Sequence, residues 1–477
     1  MPLAAALEQM SALLVHRGPD DSGHMEDERC GMAHRRLSIL DRTAAGRQPM
    51  SAGPIHLVTN AEFYNHRLLA KQHALNDQLR SRTDTEVVLK LIERHGVSST
   101  LQQVDGMYAF AAWDSETGVL HLARDPFGVK PLFVLHQQGI LWFSSEIKPL
   151  LLAPGFERKP SLEALHHFLS FDYIPGEHTA FNGIEEVRPG THWQVNAETG
   201  SITKDSFFET DWTPNSSLTL ADAVAESKRL LKSAVERQLQ ADVEVGVMLS
   251  GGLDSSSIAA LTKEIKGHSD FDTFSIGFDE PSFNESHHAE VVATHLGTRH
   301  HHIPIDAESV AEVLPRYLAS IDEPYADGSA IPTALLARSA KEHVTVLLSG
   351  EGGDEMFSGY DTHAAAVARR WYRTVPSWVR KGLVAPIVRA LPVRHNKLSF
   401  DFRAKRFIEG VEHETAHSHY AWREVLSEEA KREIVVDPSA FAQFPPSASL
   451  FTDAWNQCTS TDDLCRLLHI DRTHHLP

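Results

Sequence analysis

Two short apolar runs in this chain each break into a turn of serine, glycine and acid, and that pairing restricts the fold more than any other feature. The first run, Val245-Gly246-Val247-Met248-Leu249, opens into Ser250-Gly251-Gly252-Leu253-Asp254-Ser255-Ser256-Ser257. The second, residues 344–348, opens into Ser349-Gly350-Glu351-Gly352-Gly353-Asp354-Glu355. Each reads as a buried strand feeding a helix through a glycine turn. In an open parallel sheet, ligands sit beyond the carboxyl ends of the strands, near the switch in strand order. Two such ends therefore predict one crevice. Glycines let the backbone approach a ligand, and main-chain N–H groups at a helix start cradle an anion. Ser250, Ser255 and Ser256 add hydroxyls. Asp254 and Asp354 are carboxylates able to share a magnesium ion between phosphates, and Glu351 is placed to act on a substrate. The first turn is not a P-loop, because no lysine follows its glycines. The plainer alternatives are a glycine pair that merely punctuates a strand and an acidic trio on a solvated turn.

The length of 477 residues suggests roughly two to three domains. A formal charge of −19 argues against nucleic acid or an anionic membrane as partner. The three cysteines, Cys30, Cys458 and Cys465, are too few for a disulfide framework and fit a reducing compartment. No apolar run reaches membrane length, and the start lacks a secretion signal, so the cytoplasm is the expected location. The histidine groups His287-His288, His300-His301-His302 and His474-His475 invite a metal reading. Neighbours on a strand point to opposite faces, however, so no zinc site is expected from them.

Up to about residue 210 the chain is a series of short β-type runs (55–60, 107–114, 119–124, 132–136 and 140–144) with few helical patterns, one of them at 85–95. This predicts a layered, antiparallel α+β domain over 1–210. A polar segment, 211–217, reads as a linker. Beyond it Leu220, Val224, Leu231, Val235 and Leu239 recur at helical spacing, and strands at 244–249, 273–278, 301–305 and 344–348 alternate with helices. That alternation predicts an α/β doubly wound parallel sheet with a helical extension beyond about residue 362, the whole forming a second domain over 218–477.

The pair S-G-G-L-D-S and S-G-E-G-x-D-E resembles the ATP-pyrophosphatase (PP-loop) turns of the glutamine-dependent asparagine synthetase family. The N-terminal part is similar to that family's class II glutamine amidotransferase domain, an Ntn-hydrolase-like sandwich. The matching stretches include His16-Arg17-Gly18-Pro19-Asp20-Asp21-Ser22-Gly23, His34-Arg35-Arg36-Leu37-Ser38, Asn60-Ala61-Glu62-Phe63-Tyr64-Asn65, Thr83-Asp84-Thr85-Glu86 and Arg124-Asp125-Pro126-Phe127-Gly128. The resemblance implies that Arg36 holds the glutamine α-carboxylate and Asp84 the α-amino group. Asn60 and the N–H of Ala61 would form an oxyanion hole, with Glu62 beside them. From the residues alone, Arg36 as a surface arginine and Asp84 as a helix N-cap are the simpler readings. Alanine stands where the family usually has glycine, and a strained φ would suit Ala61 less well.

On the synthetase side the resemblance implies ATP contacts from Leu249, Ser250, Gly251, Gly252, Asp254, Ser255, Ser256, Ile276, Ser349 and Gly350. It implies Mg²⁺ on Asp254 and Asp354, and a catalytic role for Glu351. Leu249 and Ile276 read equally well as core, and Asp322 and Glu323 either line the aspartate pocket or form a turn before Pro324. The implied reaction amidates L-aspartate with ammonia from glutamine, through β-aspartyl-AMP. Small-molecule substrates are its partners, and a homodimer is compatible with it. Relatives that activate another carboxylate, such as β-lactam-forming synthetases, share these turns.

Two departures shape the expectation. The family's glutaminase nucleophile is a cysteine at position 1 of the mature protein, whereas this sequence begins Met1-Pro2-Leu3. As written, the first strand is missing and the glutaminase half is expected to be inactive. The family's later arginine-containing stretch and pyrophosphate-contacting lysine have no counterpart before Pro477. The chain reads as a fragment of a longer frame or as a degenerate paralogue; beside the ligase reading stands the non-enzyme alternative of an inactive product that at most binds nucleotide.

Overall fold

The computed structural model describes residues 3–394, 399–437 and 439–476 of the chain; Met1 and Pro2, on which the argument about the nucleophile turned, lie outside them. The N-terminal half is built on a six-stranded antiparallel sheet. Its order is Ile202–Ser206, Thr191–Asn196, Val119–Arg124, Gly106–Asp114, Ile55–Phe63, Met50–Ala52. The strand Gly106–Asp114 shows why the sheet is buried on both sides. Tyr108, Phe110 and Ala112 face the helix Asp84–Leu101, packing with Leu57, Phe63, Val88 and Ile92. Ala109, Ala111 and Trp113 face the other way, into a cluster with Met32, Val134 and Trp193. Side chains that alternate along a strand are apolar on both faces only where two layers cover it. The second layer is a hairpin, Asp21–Glu26 with Gly31–Arg36, and a three-stranded sheet ordered Ile140–Ser144, Phe133–Gln137, Ile184–Glu186.

Expected and observed strands coincide at Val119–Arg124 and Ile140–Ser144. The helix expected at 85–95 runs to Leu101, with a break at Gly96, where φ is +75°. The cap before it is Thr83, whose hydroxyl accepts from the Glu86 N–H, so Asp84 is the first helical residue and not the cap. Four described α-helices of this half had no counterpart in the sequence pattern: Leu3–Ala12, His66–Gln72, Ile147–Leu150 and Leu162–Phe171.

After the linker, the helix Leu220–Gln238 starts at a Thr219/Asp222 capping box. Four parallel strands follow, in the order Arg299–Ile305, Asp272–Phe278, Val245–Met248, Val346–Leu348. The chain steps outward twice and then returns to the other side of the first strand. The switch in strand order therefore falls between Val245–Met248 and Val346–Leu348, the two strands that feed the serine/glycine turns. Helices cover both faces. Val247, Leu249, Ala259, Leu261 and Ala293 pack on one side, and Phe274, Leu336, Ala340 and Val344 on the other. The sheet's edges are Arg299–Ile305, with an arginine, three histidines and a proline, and the three-residue strand Val346–Leu348. Past Asp361 the described residues are helical or irregular. The final helix, Asp463–His474, packs Leu467 and Ile470 against Tyr420, Phe451 and Phe171 of the N-terminal half. Among the described residues, no helix is long and apolar enough to cross a membrane.

Candidate functional site

At the end of Val245–Met248 the Leu249 N–H donates to the Phe274 carbonyl (2.7 Å), holding the strand in register up to the turn. Leu249 is 1 % exposed and sits in the core. Ile276 packs partly buried beside Leu336 and Ile305. The core alternative thus describes both side chains, and a nucleotide at Leu249 would meet its backbone. Gly251 has φ +82° and lies against the helix Ser286–Leu296, where an added Cβ would stand 2.5 Å from the Ala289 nitrogen; only glycine fits. Gly252 then caps the helix Leu253–Lys266. Ser250 and Ser255 join hydroxyls at 2.9 Å, and the Ser250 N–H donates to the Ser255 Oγ (3.2 Å). The Ser256 Oγ is buried without a partner. A buried unpaired hydroxyl is costly unless something arrives to meet it, and a phosphate oxygen suits that role.

The second turn lies directly on the first. An added Cβ at Gly350 would fall 2.9 Å from the Asp254 Cβ, and one at Gly353 would fall 2.7 Å from the Asp254 Oδ2. The turn reverses at Gly352, where φ is +84°, and the Glu351 N–H donates to the Ser349 Oγ at 3.4 Å. The two turns therefore form one crevice at the switch in strand order. Burial, and next the charge of Asp254, push the Asp354 carboxyl upward. Burial, then Glu355, Asp327 and Asp354, do the same to Glu351. Carboxylates crowded in this way repel one another until a cation joins them. An all-oxygen, hard donor set of this kind suits Mg²⁺, so the residues present fit the implied metal. Asp327 escaped the sequence reading; the Asp-Gly-Ser turn before the helix Ala330–Ala340 was the available signal.

Asp322 and Glu323 reach across to the N-terminal half. The Asp322 Oδ2 accepts from the Ile147 N–H (2.5 Å), and its Oδ1 pairs with the Lys148 Nζ (2.7 Å). The Glu323 Oε2 accepts from the Ala180 N–H (3.0 Å). Both carboxylates tie the parallel-sheet half to the N-terminal half.

In that N-terminal half a cavity of about 540 Å³ is lined by Arg36, Asn60, Ala61, Glu62 and Asp84 together. Arg36 is buried, contrary to the surface alternative, and its guanidinium donates to the carbonyls of Thr43, Leu40 and Asp41 at 2.9, 3.0 and 2.5 Å. Ala61 is an ordinary residue of Ile55–Phe63, paired with Tyr108 and without a positive φ, so the strain expected there is absent. The Asn60 Nδ2 is buried with no acceptor. The Asp84 Oδ2 accepts from the Phe63 N–H (2.7 Å), and burial pushes this carboxyl and its neighbour Glu62 upward. Cys30 also touches the cavity, but burial pushes its thiol up to about 12, leaving it protonated and inert at neutral pH.

Two histidine–carboxylate groups converge among the described residues: Glu163, His167 and His178, and His363, His419 and Asp471. Neither includes the histidine runs that stood out in the sequence. In the second group the Arg423 guanidinium donates to Asp471 as well (2.9 Å), and the Nδ1 atoms of both histidines lack partners. A cation in that seat and unsupported rings both argue against a metal there.

Residues 2–208 match the family described as a glutamine amidotransferase domain, and residues 226–477 match the asparagine synthase family. The chain is 35 % identical over 382 residues to "Asparagine synthetase [glutamine-hydrolyzing] 1" of Bacillus subtilis, covering 79 % of this chain and 59 % of that protein. It is 31 % identical over 397 residues to "Putative asparagine synthetase [glutamine-hydrolyzing] 2" of Methanocaldococcus jannaschii, covering 78 % and 76 %. It is also 31 % identical over 382 residues to "Amidase chyE" of Penicillium rubens, covering 75 % and 55 %. The chain belongs to the asparagine synthase family. It spans about three fifths of the length of the Bacillus relative.

Proposed function

We propose that this chain is an ATP-dependent, amide-forming ligase of the asparagine synthetase type, with an amidotransferase unit over 1–210 and a synthetase unit over 218–477. The observation that carries the reading is the contact between the two turns, with Gly350 and Gly353 seated on Asp254. A side-chain carboxylate of L-aspartate attacks the α-phosphorus of ATP. The bond to the β-phosphate oxygen breaks, pyrophosphate leaves, and β-aspartyl-AMP remains. Ammonia then attacks the acyl carbon, AMP leaves, and the surplus proton passes to a base. Such chemistry needs positioning and charge neutralisation more than covalent help. The N–H groups at 250–252 and the hydroxyls of Ser250, Ser255 and Ser256 bind phosphate, and Ser349 and Gly350 border the nucleotide. Asp254 and Asp354 would hold Mg²⁺, which would supply charge neutralisation for the triphosphate. Glu351, whose carboxyl is raised by burial and acidic neighbours, assists ammonia attack or intermediate formation.

In the same reading the cavity of the N-terminal half receives glutamine. Arg36 lies toward its carboxylate, Asp84 and Glu62 toward its amine, and the unpaired Asn60 amide with the Ala61 N–H toward the developing oxyanion.

The test is pyrophosphate release from ATP, aspartate and ammonium by the wild-type chain and by Asp254→Ala. Equal rates in the two would remove the ligase reading. The second reading is a related ligase acting on another carboxylate, since membership of the asparagine synthase family leaves the acceptor open. Release that depends on Asp254 but not on aspartate, and that rises with another carboxylic acid, would select it.

A further inference from the structure

Glu355 is the one acidic residue of the second turn that is fully buried, at 6 % exposure, and it is not needed for the roles assigned above. The Tyr360 hydroxyl donates to its Oε1 at 2.5 Å. The face of the Tyr360 ring carries the Arg423 guanidinium, 4.5 Å from the centroid. Arg423 in turn donates to the Asp471 Oδ2 at 2.9 Å, and Asp471 is wholly buried in the last helix. With Asp471 a carboxylate, His363 and His419 must donate their Nε2 protons to it, at 2.8 and 2.7 Å. The chain of contacts thus runs from the helical extension to the crevice, anchored by a carboxylate with three donors at its deep end. Backbone geometry closes the near end. Gly359, directly before Tyr360, donates its N–H to the Asp354 carbonyl (3.1 Å), and a Cβ there would strike the Asp354 carboxylate.

We propose that Tyr360 and Arg423 are positioning residues for the metal-bound nucleotide: Asp471 fixes Arg423, Arg423 fixes the Tyr360 ring, and Tyr360 holds Glu355 so that Asp354 stands opposite Asp254. The inference rests on the nucleotide reading given above. The crevice crowds like charges, and a turn held only by its own backbone would relax outward. An arginine placed behind an aromatic ring offsets that repulsion without entering the crevice and competing for phosphate. Arginine suits the post better than lysine because its planar group stacks on the ring while one of its N–H groups reaches Asp471.

The test measures ATP binding by titration calorimetry, with and without Mg²⁺, for the wild-type chain, Tyr360→Phe, Arg423→Lys and Asp254→Ala, alongside melting temperatures. Tyr360→Phe removes one oxygen and keeps the ring, so its fold is expected to persist. It should weaken MgATP by about threefold to tenfold, the loss expected of one hydrogen bond to a charged group. It should also raise the Mg²⁺ concentration needed for half-saturation, while metal-free ATP binding stays put. Arg423→Lys should do the same more strongly. A merely structural role would lower both kinds of binding together with the melting temperature, and that result overturns the proposal. So does MgATP binding unchanged in both variants while the wild type binds and Asp254→Ala does not. A wild-type chain that binds no MgATP, or an Asp254→Ala variant that binds it normally, sinks the nucleotide reading itself.

Discussion

Gly350 and Gly353 touch the same aspartate from two sides, and adding one methyl at each separates stability from metal binding. At Gly353 the new Cβ would lie 2.7 Å from the Asp254 Oδ2, about 0.7 Å inside ordinary contact. The atom it meets is the free end of a side chain, so the relief is a rotation of the Asp254 carboxylate. Gly353→Ala should therefore cost little stability, within about 0.5 kcal/mol. It should remove a metal ligand's position and weaken MgATP by roughly tenfold to a hundredfold. At Gly350 the methyl meets the Asp254 Cβ at 2.9 Å and the Ser255 backbone nitrogen at 3.0 Å, neither of which can turn aside. Gly350→Ala should destabilise the fold by about 1–3 kcal/mol, as overpacking does, as well as weakening binding. Neither position has a positive φ, so the methyl acts through contact alone. Gly382→Ala is the control, with nothing within 4 Å of its new Cβ. Urea unfolding and MgATP calorimetry on the three variants decide the matter. If Gly353→Ala binds MgATP within about twofold of Gly382→Ala, the two turns do not meet as described and the reasoning fails.

Other outcomes follow from the same structure. Burial holds His419 and His192 down to about 4 and His167 to about 3. Each binds its proton more readily unfolded, so stability should be fully present above about pH 6.5 and fall by several kcal/mol in total toward pH 4, a trend that urea midpoints across this range will show. The Asn60 amide nitrogen donates to nothing, so Asn60→Ala should leave the melting temperature unchanged or slightly raised, measured by differential scanning fluorimetry. Asp322→Ala leaves the Ile147 N–H without its acceptor and removes one of the three acceptors of the Lys148 ammonium, and should destabilise the chain by about 1–3 kcal/mol, with MgATP affinity preserved in calorimetry.

The crevice was legible because its parts are local. A β-branched run, a glycine turn and a helix start within a dozen positions have few other arrangements, and strand order in a doubly wound sheet then brings two such ends together. The layered N-terminal half was legible for a similar reason, since Tyr108 to Trp113 are apolar at every position and so need cover on both faces. What the sequence concealed depends on distant partners. Asp322 and Glu323 look like a turn before a proline, and only packing shows that they reach Ile147, Lys148 and Ala180. Arg36 could be either a surface or a binding arginine until the carbonyls of the 40–43 loop closed around it. Asp471, His363, His419 and Arg423 are separated by up to 108 positions, and no spacing rule joins them. The helix Leu3–Ala12 carries three consecutive alanines, which favour a helix on propensity alone.

The borders of the parallel sheet bear on how this chain behaves in company. A row of unpaired N–H and C=O groups invites another molecule to add a strand. On one border the row is three residues long, Val346–Leu348, too brief to hold a stranger. On the other, Arg299-His300-His301-His302-Ile303-Pro304-Ile305 mixes charge, bulky rings and a proline that has no N–H to give. The histidines that look in the sequence like a metal grip thus serve as a guard rail.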